Sequence, residues 1–329
     1  MTKHIAILAY EGCMGMEVFG LCDTLLMANR VAAALGHAGP LFQVAVLGML
    51  GESVAAAGGF RIGTRRASRR LKADLLVVPG MELADRASCL RPLTHLAAEA
   101  AYLDAMFARG IPVAATCVGA FLLGEAGLLD GRRATTSWLF APDLALRFPH
   151  ADVQAAAMLV SDGGVTTTGS FSAAFDLAMD LVRQSAPPRV LRAVARMAML
   201  DENRTSQAPY IDARMMAPPA AGFGASVRAW IDHRLAEPYD LQRLADSFHV
   251  SPRTLLRRFK DDTGATPLGY LQRARVDKAR LLLESTTLAV AQVTGQVGYG
   301  DVATFSTLFK RLVGHTPAEY RRRFRTGPA

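Results

Sequence analysis

Residues 259–270 and 309–320 carry one signature twice. The first copy reads Phe259-Lys260, Gly264, Thr266-Pro267 and Tyr270; the second reads Phe309-Lys310, Gly314, Thr316-Pro317 and Tyr320. The offset is 50 residues at every matched position. Two copies are too few for a solenoid, which needs about three. The C-terminal third must therefore fold as one duplicated helical unit.

Each copy reads as helix, tight turn, helix. In the first, Leu241, Leu244, Ala245 and Phe248 fall at helical spacing and His249-Val250 turn the chain. Ser251 then caps a new helix and Pro252 occupies its first position, where a missing amide costs nothing. Leu255 and Phe259 face inward, leaving Ser251, Arg253, Thr254, Arg257, Arg258 and Lys260 to face outward or sideways. In the second copy, Val290, Val293 and Val297 form the inner face of the first helix. Gly298-Tyr299-Gly300 make a turn one residue longer, and Asp301 caps a helix that buries Val302, Phe305 and Phe309. Asp301, Thr304, Ser306, Thr307, Lys310 and Arg311 remain available. Thr316 and Glu319 have the spacing of a capping box for the last helix. Between the copies, 268–285 reads as one long helix.

Charge is unevenly placed. Residues 220–329 hold 17 Lys/Arg against 10 Asp/Glu, whereas 1–219 hold 20 against 19. A basic domain with two capped cationic helices suits double-stranded DNA. The second helix of each unit would enter the major groove, and a stiff connector would space two such helices by about 34 Å, one turn of the duplex. Arginines would take guanine edges or phosphates, and hydroxyls either.

These residues resemble the AraC/XylS-type DNA-binding domain over 223–327. Ser251-Pro252-Arg253, Leu255, Arg257, Phe259-Lys260, Gly298-Tyr299, Asp301, Phe305, Phe309-Lys310, Thr316-Pro317 and Tyr320-Arg321 carry the match. Thr294-Gly295 departs from the family's alanine and polar helix former, which predicts a looser helix. Thr307 stands where arginine is common, which predicts a weaker second head.

The first 185 residues alternate apolar runs with periodic segments, as a parallel sheet covered by helices does. Ile5–Ala9, Phe42–Leu47, Leu75–Pro79 and Val113–Ala115 read as buried strands; 16–35, 92–109, 118–126, 170–184 and 189–200 read as helices. Cys117 follows a strand at a small-residue turn into a helix, where the helix N-terminus would favour the thiolate. Taken alone, such a cysteine is more often an ordinary buried residue.

Residues 4–185 are similar to the PfpI-type branch of the class I glutamine amidotransferase-like superfamily. Ala9-Tyr10-Glu11-Gly12, Met16-Glu17, Val78-Pro79-Gly80, Thr116-Cys117-Val118-Gly119, Thr135-Thr136 and Thr168-Gly169 carry the likeness. It implies an α/β flavodoxin-like doubly wound sheet with Cys117 at an elbow and Glu17 beside it. The histidine that family enzymes place after the threonine pair is absent: Ser137 follows, then Trp138. Serine is no base at neutral pH. A non-catalytic domain that keeps a small-molecule pocket is expected, lined by Glu17, Gly80, Cys117, Val118, Ser137, Trp138 and Gly169.

Together the halves resemble the GlxA-type branch of AraC-like regulators, with Gln207-Ala208-Pro209 as a further echo. The expected layout is a sensor and dimerisation domain over 1–200, a linker over 201–222 and the DNA-binding domain over 223–329. The expected partners are promoter DNA, a second copy of the chain, a small effector and, for an activator, RNA polymerase. The resemblance points to amino-acid or quaternary-amine effectors. No cofactor or metal is expected. The four cysteines form no Cys-x-x-Cys pair, and no stretch of about 18 apolar residues occurs; a cytoplasmic protein without membrane attachment is expected. Two alternatives stay open: a cysteine hydrolase or deglycase with a DNA-targeting tail, and a thiol redox sensor acting through Cys117.

Overall fold

A computed structural model describes residues 2–83, 89–91, 93–202, 204–212, 215 and 222–325. Residues up to Gln207 form one compact unit and those from Ala208 a second.

The first unit contains, in chain order, β1 (Lys3–Leu8), α1 (Gly15–Ala34), β2 (Phe42–Gly48), β3 (Glu52–Ala55), β4 (Arg61–Arg66), β5 (Leu75–Val78), α2 (Ala97–Ala108), β6 (Val113–Ala115), α3 (Ala120–Glu125), β7 (Arg133–Ala134), α4 (Ala141–Arg147), β8 (Asp152–Val153), β9 (Leu159–Asp162), β10 (Val165–Thr168), α5 (Ala173–Ser185) and α6 (Pro188–Ala198). Eight strands make one sheet in the order β3-β4-β2-β1-β5-β6-β10-β9. The six inner strands are mutually parallel, while β3 and β9 run antiparallel at the two edges. All four residues of β5 and all three of β6 are buried, as parallel strands covered on both faces require. Helices α1, α5 and α6 pack on one another, and α2 packs on α3. This is the doubly wound arrangement expected. Strands β3, β4, β9 and β10 were not anticipated, because Arg61–Arg66 and Val165–Thr168 alternate polar and apolar residues too weakly to stand out.

The second unit carries α7 (Phe223–Asp232), α8 (Leu241–Asp246), α9 (Pro252–Thr263), α10 (Pro267–Ser285), α11 (Val290–Gln296), α12 (Val302–Val313) and α13 (Pro317–Phe324). The repeat is built in backbone as well as sequence. Helices α9 and α12 both span 12 residues and both end on a left-handed glycine, Gly264 at φ 69° and Gly314 at φ 84°. Both α8 and α11 end in the same pair of hydrogen bonds. Val250 N donates to Ala245 O and His249 N to Asp246 O; Tyr299 N donates to Thr294 O and Gly298 N to Gly295 O. This six-to-one, five-to-two pattern is a Schellman cap, and its left-handed residue is His249 in one copy and Gly298 in the other. The caps are therefore 49 residues apart and the following helices 50. The extra residue lies in the second turn, as the sequence indicates. Helix α11 forms despite Thr294-Gly295: Thr294 is buried and its hydroxyl donates to Val290 O at 2.8 Å.

Each copy has its own small core. Leu244, Leu255 and Phe259 centre the first; Val293, Phe305 and Phe309 centre the second. Connector α10 belongs to both, giving Leu271 to the first and Val276, Ala279 and Leu283 to the second. Its 19 residues make a rod of about 28 Å.

The stretch expected as a linker, 201–222, is divided between the units. Met158 N donates to Thr205 O and Gln207 N to Ala156 O, which ties 205–207 to the first unit. Ala208–Tyr210 forms a turn that packs against α12 in the second. The polar character of 201–207 suggests linker, but Arg204 pairs with Asp176 and Gln207 is buried with its amide fully bonded. The proline-rich residues 216–221 lie outside the described residues.

Candidate nucleic-acid interface and small-molecule niche

Helices α9 and α12 present the predicted DNA-facing residues. Ser251 accepts a hydrogen bond from Thr254 N at 3.2 Å, and Asp301 accepts one from Thr304 N at 2.6 Å. Both are helix caps, so their oxygens are committed to the backbone. Hydrogen bonds from Thr304 and Ala303 hold the Asp301 carboxyl below its usual range. Arg253, Arg257, Arg258 and Lys260 are exposed along α9, with Thr254 half-buried. Arg257 pairs loosely with Asp261 at 3.9 Å; exposed pairs of this kind are worth little and release readily to phosphate. Arg258 differs, because its guanidinium stacks over the Phe223 ring at 4.0 Å.

On α12, Thr304, Thr307, Lys310 and Arg311 are exposed and Ser306 is half-buried. The Thr307 hydroxyl donates to Ala303 O at 3.0 Å, so it is turned back onto its own helix. Thr304, Thr307 and Arg311 line a groove of about 230 Å³ with Gln272, Tyr299 and Leu308. Gln272 was missed by the sequence reading, because nothing local marks which face of α10 meets α12. The two copies thus differ in chemistry: α9 offers guanidinium groups and α12 mostly hydroxyls.

In the first unit the residues expected to line a pocket fall into two linked groups. Glu17, Gly80, Cys117 and Val118 form one. The Glu17 carboxylate accepts from Gly80 N at 2.6 Å and from the Thr116 hydroxyl. Tyr10 orients the same loop by donating to Pro79 O at 2.5 Å. A side chain at Gly80 would place its Cβ 2.9 Å from Glu17 Oε1 and 3.2 Å from Cys117 Cβ, so the Glu17 carboxyl would have to shift. Cys117 sits at φ 50°, the strained elbow that the strand-to-helix turn implied.

The ionisation state at the elbow corrects the expectation of a thiolate. Burial pushes the Cys117 thiol well above its ordinary range, and the neighbouring Glu17 carboxyl adds to the shift. Burial also raises Glu17, against the opposing pull of its bonds from Thr116 and Gly80. Desolvation and a carboxyl neighbour outweigh the backbone hydrogen bonds from Val118 and Phe171 that favour the thiolate. Cys22 is likewise pushed up to about 11, chiefly by burial.

Ser137, Trp138 and Gly169 form the second group, and Gln207 joins them. Ser137 Oγ and Ser170 Oγ are 2.9 Å apart. Gln207, 1 % exposed, accepts from Trp138 N at 3.2 Å and Ser170 N at 2.9 Å. It fills the space beside Gly169, where an added Cβ would come within 2.4 Å of Gln207 Cδ. Thr136 joins the groups by donating its hydroxyl to Cys117 O at 2.8 Å. Sequence reasoning noted Gln207-Ala208-Pro209 only as an echo of a family and left it in the linker. Among the described residues, no group of three or more His, Cys, Asp or Glu could hold a metal ion, and no helix is long and apolar enough to cross a membrane.

Comparison with known proteins agrees with both units. The family described as DJ-1/PfpI matches residues 3–184, and a helix-turn-helix domain matches residues 244–323. The chain is similar to the HTH-type transcriptional regulator GlxA of Rhizobium meliloti, at 28 % identity over 98 % of this chain and 96 % of that protein. It is similar to the HTH-type transcriptional regulator CdhR of Pseudomonas aeruginosa, at 28 % identity over 98 % and 92 %. The crystal structure of an AraC family transcriptional regulator from Pseudomonas putida covers 60 % of this chain and 99 % of its own, at 22 % identity and a TM-score of 0.50, which shows the shared fold. The chain belongs to the DJ-1/PfpI family and carries a helix-turn-helix domain over residues 244–323.

Proposed function

We propose that the chain is a sequence-specific DNA-binding transcription regulator whose first unit senses a small metabolite without catalysing a reaction. The observation that carries this reading is the duplicated helix-turn-helix, two capped helices with exposed side chains held by one 19-residue connector. The full-length relatives named as transcriptional regulators share both units in the same order and support it. Arg253, Arg257 and Lys260 on α9, with Lys310 and Arg311 on α12, are exposed cations that would meet phosphates or base edges. The first unit pairs two copies, and an activator would present the second unit to RNA polymerase. The effector is a small polar metabolite, an amino acid or a quaternary amine being the first classes to screen.

The non-catalytic assignment is supported by the elbow. A nucleophilic thiol needs a lowered pKa or an adjacent base. Cys117 has its thiol pushed the other way, and the hydroxyl of Ser137, in the position of the missing histidine, is shared with Ser170. The same shift weighs against a thiol redox sensor, since oxidation follows thiolate character.

Selection of duplex sequences from a random pool by the purified full chain tests the function. An enriched motif spanning two adjacent major-groove turns is expected. Retention of all sequences alike, with a steep salt dependence, would leave only a nonspecific polyanion binder.

A further inference from the structure

Gln207 sits in a niche whose polarity is divided by side. Its Nε2 donates to the carbonyls of Thr136 at 2.8 Å, Ala157 at 2.9 Å and Ala155 at 3.2 Å. Its Oε1 accepts from Ser170 N at 2.9 Å, Ser170 Oγ at 3.1 Å and Trp138 N at 3.2 Å. A carboxylate here would set one oxygen against three carbonyls, and an ammonium would leave three donors unmatched. A primary carboxamide satisfies both sides, having two N–H donors and a carbonyl with two lone pairs. Mismatched buried polar groups are costly, so the niche discriminates strongly between these charges. Glycine at 169 leaves the room the amide occupies.

The chain then passes directly to a second anchor. Pro209 O accepts from Arg280 Nη2 at 2.9 Å, and Arg280 Nε donates to the Tyr320 hydroxyl at 3.0 Å. Tyr210 meets Phe324 edge to face at 5.5 Å and accepts a hydrogen bond from Arg323 at 2.8 Å. The 208–210 turn packs against α12, and Tyr320 meets Phe309 of that helix at 5.6 Å. Gln207 is thus fixed in the sensor unit, and Pro209 is fixed against the second recognition helix.

We propose that the niche is a carboxamide-recognition site which the chain's own Gln207 fills as a tethered ligand, and that loss of this occupant is felt at α12 through the 208–210 turn. The inference rests on the reading of the chain as a DNA-binding regulator and names how that regulation is wired. A ligand can shift such an equilibrium only through its differential affinity for the two states; a free primary amide gains that difference by displacing Gln207.

Three variants of the full chain test it, on duplexes selected by the wild type. Gln207→Ala removes the occupant, and Gly169→Ala forces it out. Insertion of Gly-Ser between residues 207 and 208 leaves both anchors intact but lengthens the chain between them. Each is expected to change the affinity for selected DNA by at least about fivefold, the lower end of ordinary allosteric couplings. Acetamide, which matches the atoms lost in Gln207→Ala, is expected to raise that variant's melting temperature and move its affinity toward wild type, whereas acetate does neither. Wild-type affinity in the insertion variant overturns the coupling, even if both alanine variants misfold. An equal response of Gln207→Ala to acetamide and acetate, or to neither, overturns the carboxamide site. If the wild type selects no sequence at all, the regulator reading fails, and the acetamide melting shift still decides the niche.

Discussion

Gly298 lies so close to Ala236 that an added Cβ would sit 2.7 Å from the Ala236 carbonyl oxygen and 2.8 Å from its Cα. Gly298 is also the left-handed residue of the Schellman cap on α11, at φ 82°. Two independent demands thus fall on one residue, one conformational and one steric. Arg275 fixes the same neighbourhood by donating to Leu235 O and Glu237 O while stacking over Tyr299 at 5.0 Å. Gly298→Ala should therefore destabilise the second unit by at least about 2 kcal/mol, combining a left-handed penalty of about 1 kcal/mol with a backbone clash that no rotamer relieves. His249→Gly, at the equivalent cap of the first copy, should stabilise. Thermal melts of the two variants check the opposed signs.

Arg257 and Arg258 are neighbours in sequence but differ in role. Arg257 is exposed and only loosely paired, so Arg257→Ala should weaken binding to selected DNA by about 1–3 kcal/mol if it reads a base. An equal loss on unrelated DNA would make it a phosphate contact. Arg258 stacks on Phe223 of α7, so Arg258→Ala should also lower thermal stability, by about 0.5–1 kcal/mol for an exposed cation–π pair. Melting curves and competition binding on the same preparations separate the two effects.

The C-terminal unit was legible because its signals are local. Ser251, Thr266 and Thr316 each cap a helix by accepting from the amide three residues ahead, and each precedes a proline. Gly264 and Gly314 stop helices where the chain must turn left-handed. The inner strands of the first unit were legible as apolar runs. The niche was not, because Gln207 takes its partners from residues 37 to 72 positions away and follows a polar stretch. The raised thiol of Cys117 was equally hidden: a turn into a helix can be read from Thr116-Cys117-Val118-Gly119, but its burial is set by the whole fold, and Glu17, whose charge adds to the shift, lies 100 positions earlier.

Because its thiol is pushed upward, Cys117 should be a slow nucleophile at neutral pH. Alkylation by iodoacetamide, followed at the Cys117 peptide by mass spectrometry, should run at least about tenfold slower than for an unperturbed thiol near pKa 8.5. The rate should keep rising with pH beyond the point where an ordinary thiol levels off. Glu17→Gln removes the negative neighbour but keeps an acceptor for Gly80 N and Thr116, and should speed the reaction without matching a free thiol. A fast, pH-independent reaction in the wild type would show that the thiolate is stabilised after all.

Asp277 gives the second unit a pH dependence of definite sign. Burial raises its carboxyl to about 6; Asp212 pushes in the same direction, while Arg280 and Arg273 oppose it. Its side chain is 39 % exposed and lies 3.5 Å from Arg280 Nη1, so solvent screens much of the effect. An acid whose folded pKa lies above its unfolded value stabilises the fold in its protonated form. That contribution is complete below about pH 4 and is lost as pH rises through about 6. Asp277→Asn should accordingly raise the melting temperature of the second unit at neutral pH, by an amount worth about 1 kcal/mol after screening. The advantage should vanish near pH 4, where the wild-type carboxyl is protonated too. Melting curves of both proteins across this range decide it. An Asp277→Asn variant that loses stability at neutral pH would mean that the ion pair with Arg280 outweighs the cost of burial.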